Sequence, residues 1–98
     1  MTPATINLDR VRRLEGVLVV DTKVVPTRDR VTVCYYEIHV APHPRAESSV
    51  IVTRSEALYL EALAAEGTDT RFTVQSHVAK LDGRRVHVLD LAVREATP

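Results

Sequence analysis

The chain has 98 residues, 45% hydrophobic and 27% charged, which suits one globular domain with a single core and not a disordered chain. Thirteen basic and 13 acidic residues cancel, so no whole-molecule field draws it onto nucleic acid, and any such binding must come from a local patch. No apolar run exceeds four residues, which argues against a membrane span or a signal-peptide core and points to the cytoplasm; the single cysteine, Cys34, excludes an internal disulfide and a thiolate-rich metal site.

Residues 1–11 are polar, contain Pro3 and read as an arm. From 12 to 25 the sequence is rich in β formers. Leu14, Gly16, Leu18 and Val20 alternate with Glu15, Val17, Val19 and Asp21, so both parities are partly apolar, as in a long strand buried first on one side and then on the other. Gly16 is the natural place for that strand to bend or bulge. Pro26 cannot donate to a ladder, so Val25-Pro26-Thr27-Arg28-Asp29-Arg30 forms a loop carrying two arginines.

Residues 31–40 form the second strand, whose apolar parity switches around Tyr35-Tyr36, and Cys34 within it reads as a small buried hydrophobe. A loop with two prolines follows, then a short strand at 49–53 centred on Val50-Ile51-Val52. Ser55 is a helix N-cap, Glu56 suits the first turn, and Gly67 ends the helix. Ala57, Leu60, Leu63 and Ala64 share one face at helical spacing, extended by Leu58, Ala62 and Ala65, so Leu60 and Leu63 are expected in the core.

The last third is a β-hairpin closing at Leu81-Asp82-Gly83-Arg84, because Asp-Gly tolerates the positive φ that a two-residue turn needs. Pairing outward from Leu81 and Arg84 sets Val78 against His87, Ser76 against Leu89, Val74 against Leu91 and Phe72 against Val93. That face is nearly all apolar and is expected inside. The opposite face pairs Ala79 with Val86, His77 with Val88, Gln75 with Asp90 and Thr73 with Ala92. Val86, Val88 and Ala92 there are more apolar than a solvated surface requires, which leads us to expect a dimer. Residues 95–98 are a tail with nothing to bury.

The order is three strands, a helix, two strands. A first strand bent near a glycine, a helix between strands three and four and a closing hairpin predict an all-β fold with one helix, a five-stranded Greek-key barrel resembling the OB-fold over residues 12–94. Ser49-Val-Ile-Val-Thr-Arg, the Ala/Leu-rich helix, Gly67, Arg71-Phe-Thr-Val and the Asp-Gly hairpin are similar to the second half of the bacterial single-stranded-DNA-binding protein and primosomal replication protein B group. The resemblance implies single-strand binding in DNA replication or repair, no cofactor, and assembly as dimers or tetramers. The chain departs from that group in having no Trp, one Phe and three Tyr, and no acidic, Gly/Pro-rich tail.

OB barrels hold single strands across strands two and three, between the loops joining strands one to two and four to five. Those loops carry Arg28 and Arg30 on one side and Lys80, Arg84 and Arg85 on the other, against a helix region, 56–69, whose charges are all acidic. These cations would contact the phosphates of single-stranded DNA or RNA, with Tyr35 or Tyr36 stacking on a base; the two point to opposite faces, so one is available. The histidines show no ligand spacing: His77 and His87 fall on opposite faces of the hairpin, and His39 and His43 have no matched pair. No nucleophile triad, phosphate loop or carboxylate pair stands out, so no enzyme is expected. The alternative is a protein-interaction barrel that buries Tyr35 or Tyr36, His77 and Val88 against a protein partner.

Overall fold

In the computed structural model the described residues are 11–26, 34–81 and 83–96. They form β1 (Val11–Pro26), β2 (Cys34–Ala41), β3 (Ser49–Thr53), α1 (Glu56–Ala65), β4 (Arg71–Leu81) and β5 (Arg84–Arg94). The strands close a five-stranded OB-like barrel in the order β1-β2-β3-β5-β4, with the helix between β3 and β4 as the sequence predicts. Residues 1–10, 27–33, 82 and 97–98 lie outside the described set, and with them Arg28, Arg30, the first residues expected of β2 and Asp82 of the turn.

β1 closes the barrel by serving two neighbours. Its first half pairs with β4 from Val11↔His77 to Leu18↔Arg71, and its second half with β2 from Leu18↔Ala41 to Pro26↔Cys34. Where it crosses from one to the other, Val17, Leu18 and Val19 are all buried in succession, which explains the apolar character of both parities. The expected bend lies just before, as a bulge between Leu14 and Val17 where Gly16 adopts φ +66°. The Gly16 N–H donates to Glu95 Oε2 at 2.6 Å, while Arg71 Nη1 donates to the Gly16 carbonyl and, at 3.0 Å, to that of Pro42. Both backbone polar groups of Gly16 are thus held by the two ends of the β4–β5 hairpin. Glu95 is half-buried, against the expectation of an idle tail.

The hairpin follows the predicted pairing from Leu81↔Arg84 to Ser76↔Leu89, and Gly83 takes the positive φ, +80°, that its turn demands. Beyond Ser76 the predicted pairs do not form: Gln75 faces Leu91, Val74 faces Ala92 and Phe72 faces Arg94. Asp90 is an extra residue in β5, a bulge whose carboxylate meets His77 Nδ1 at 2.7 Å on the outside of the sheet. The bulge turns Ala92 inward and leaves Leu91 and Val93, both expected inside, 53% and 50% exposed.

Ser55 caps α1 as expected, its Oγ accepting from the Leu58 N–H at 3.2 Å. The buried face is not the predicted one. Ala62 and Ala65 lie in the core, whereas Leu60 and Leu63 are 52% and 43% exposed. Apolar residues surround this helix almost completely, so periodicity did not choose a side. Presenting alanines lets the helix sit close on the barrel end.

The inner core joins Val17 and Val19 of β1, Ile38 and Val40 of β2, Ile51 of β3, Phe72 and Val74 of β4 and the two helix alanines, with Leu14, Leu89 and Ala92 packed at its margin. A second cluster lies on the outside of the sheet: Tyr35, Val52 and Leu81 are buried there, flanked by Val25, Val86 and Val88. Val86 and Val88 are therefore partly buried against this cluster, and Ala92 packs at the margin of the inner core.

Candidate nucleic-acid interface

Strand parity assigns the outward face of β2 to Tyr35, Glu37 and His39, opposite Ile38 and Val40 of the core. β3 pairs alongside through Glu37↔Val52 and His39↔Val50, so Val50 and Val52 continue that face. β5 reaches it through the parallel pairing of Val52 with Val88. Geometry alone thus brings the hairpin tip over the outer surface of β2 and β3. An open depression of about 250 Å³ lies there, lined by Glu37, Val50, Val52, Arg84, Arg85, Val86 and His87.

Three of the predicted cations, Lys80, Arg84 and Arg85, are exposed on the tip, where Lys80 pairs with Arg85 across the hairpin. Arg28 and Arg30 lie outside the described residues. The depression also holds a carboxylate: Glu37 Oε1 lies 3.0 Å from His39 Nε2, within hydrogen-bond distance.

Neither predicted tyrosine offers an open ring. Tyr35 is 1% exposed, beneath Leu81 and beside Val52, and its hydroxyl accepts from Arg84 Nη2 at 2.5 Å. Tyr36, on the opposite face, stacks on Tyr59 of α1 with ring centroids 4.4 Å apart and planes 15° from parallel. Its phenol is shifted above the ordinary tyrosine value, chiefly by a hydrogen bond with the Cys34 thiol and then by partial burial. Cys34 is half-buried, not buried as expected. The Tyr59 partnership was missed in the sequence, although a tyrosine in the first turns of a helix that follows a short strand lies within reach of the strand beside it.

One polar cluster close to this surface had no sequence signal. Arg12 Nε and Nη2 and His87 Nδ1 are buried with no hydrogen-bond partner among the described residues. His87 is held below the ordinary histidine range, first by burial and then by the Arg12 charge. His77 and His87 lie on opposite faces of the hairpin, as the register predicts, and among the described residues no three of His, Cys, Asp and Glu gather into a cluster. No helix among them is long and apolar enough to cross a membrane. No protein-family model, curated protein or solved structure matches the chain.

Proposed function

We propose that this chain is a non-catalytic, cytoplasmic single-strand nucleic-acid-binding barrel of the replication and repair type, in which phosphate contacts dominate and stacking is secondary. The observation that carries this reading is the position of Arg84 and Arg85 in the lining of an open depression on the outer face of β2 and β3, with Lys80 paired to Arg85 across the hairpin. Cations there would contact a strand's phosphates without reading its bases. The internal engagement of Tyr35 and Tyr36 reduces the share of stacking, each stacked base being worth about 1–3 kcal/mol where it occurs.

The test is anisotropy of labelled oligo-dT titrated against salt. Each neutralised phosphate on a single strand contributes about −0.7 to the log–log slope, so three contacts predict roughly −2. Arg84→Ala with Arg85→Ala should flatten the slope and weaken binding about equally for all sequences. Binding that is undiminished in that variant would remove the basic tip from the site.

A second reading, a protein-interaction barrel or assembly subunit, is favoured by a different observation. Leu60, Leu63, Leu91 and Val93 are each more than two-fifths exposed, away from the depression. Self-association through Leu91 and Val93 is the form of it that agrees with the dimers implied by the family resemblance. Light scattering of Leu91→Ser across a range of concentrations tests it.

A further inference from the structure

We propose that the barrel binds a free amino acid with a short branched aliphatic side chain. The side chain is seated in a cavity beneath α1, and the charged head is held at the cavity mouth by Glu61 and Arg94. This site shares no lining residue with the depression at the hairpin tip and does not rest on the single-strand reading.

The cavity has a volume of about 60 Å³, and its floor is the inner core: seven of its twelve lining residues, drawn from β1, β2, β3, β4 and α1, are buried. The five that reach solvent are Leu58 and Glu61 of α1 and Leu89, Ala92 and Arg94 of β5, so the mouth lies between the helix and the second half of β5. β3 meets β5 at Val52↔Val88 and ends at Thr53, and from Leu89 onward the wall facing β5 is α1. Small side chains hold the space open. The bulge at Asp90 turns Ala92 inward and leaves Leu91 outside, and α1 presents Ala62 while Leu63 is exposed. Either leucine, turned inward, would fill the cavity.

The lining selects the ligand. Its buried part is wholly apolar, and a dry apolar cavity of roughly 150 Å³ accommodates benzene, so this one suits a group of about three carbons, the size of the isopropyl group of valine. The two charged residues of the lining are both exposed and stand on opposite lips, Glu61 on α1 and Arg94 on β5. Arg94 can donate to an α-carboxylate while Glu61 accepts from the α-ammonium on the same carbon, whereas a simple fatty acid or amine satisfies only one lip. The head stays at the surface and keeps most of its hydration, and the methyl groups supply affinity by leaving water.

Methyl-resolved NMR of the full chain reads the cavity through Ile51 and Leu89, which line it. L-Valine should shift both sets of methyls to saturation and leave those of Val24, exposed and outside the lining, in place. L-Alanine, which has the head without the branched chain, and isopropanol, which has the methyls without the head, should each bind at least several-fold more weakly. Glu61→Gln and Arg94→Gln alter exposed positions and should each weaken L-valine about two- to five-fold, as exposed ion pairs do, with isopropanol unaffected. No saturable shift with L-valine, equal binding of L-alanine, or unchanged L-valine affinity in both variants overturns the site. Isopropanol binding as tightly as L-valine shows a packing void only and overturns it too. Oligo-dT binding is measured separately, so none of these outcomes decides the single-strand reading.

Discussion

Phe72 and Leu91 lie in the same hairpin and both belong to the face that simple alternation assigns to the interior, so substituting each with Ala separates the bulged register from the unbulged one. Phe72 is 8% exposed and packs in the inner core, where Phe→Ala costs about 3–5 kcal/mol. Leu91 is 53% exposed. Complete burial of a leucine side chain is worth ~1.5–3 kcal/mol, so half of that, with no cavity left behind, puts Leu91→Ala near 1 kcal/mol or below. Urea unfolding followed by far-ultraviolet circular dichroism reads both on one scale, and the denaturant slope should be the same for the two variants and the parent. If Leu91→Ala destabilises the chain as much as Phe72→Ala, Leu91 is in the core, the bulge at Asp90 is wrong, and the outward turn of Val93 falls with it.

Gly16→Ala should destabilise by about 1–2 kcal/mol through its left-handed backbone alone, since an added Cβ would meet nothing closer than Glu95 Oε2 at 3.8 Å; an unchanged melting temperature would contradict the bulge. The depressed titration of His87 makes stability depend on pH. Above its ordinary value of 6.5 both folded and unfolded chains hold it neutral; below it the unfolded chain takes a proton that the folded chain resists, so stability falls with pH at no more than about 1.4 kcal/mol per unit. His87→Gln should remove that component from a series of urea midpoints between about pH 7.5 and 5, and an identical pH dependence in the variant would exclude His87 as its source.

The parts of the fold that could be read in advance were those where two local rules agreed. The Asp-Gly turn and the alternation of Ser76, Val78, His87 and Leu89 select one register, and Ser55 with Gly67 bounds the helix. The bulge escaped notice because Leu91, Ala92 and Val93 are consecutive apolar residues and carry no parity signal, so nothing marks Asp90 as the extra residue. The helix face escaped for a related reason: with Leu and Ala on all sides, the side that packs is decided by how closely the helix can approach. At the candidate site, parity correctly separated Tyr35 from Tyr36, but it says which face a side chain takes and not what covers it. The cover on Tyr35 comes from a hairpin tip 46 positions or more along the chain, as Leu81 shows.

The central claim, that the hairpin tip is where a single strand meets this barrel, is tested most directly by the arginine side-chain N–H resonances during titration with oligo-dT at low salt. Arg84 and Arg85 should shift progressively and saturate together, while Arg71, committed to the carbonyls of Gly16 and Pro42, stays in place. Saturable binding that leaves Arg84 and Arg85 unmoved, or no binding at all, would contradict it.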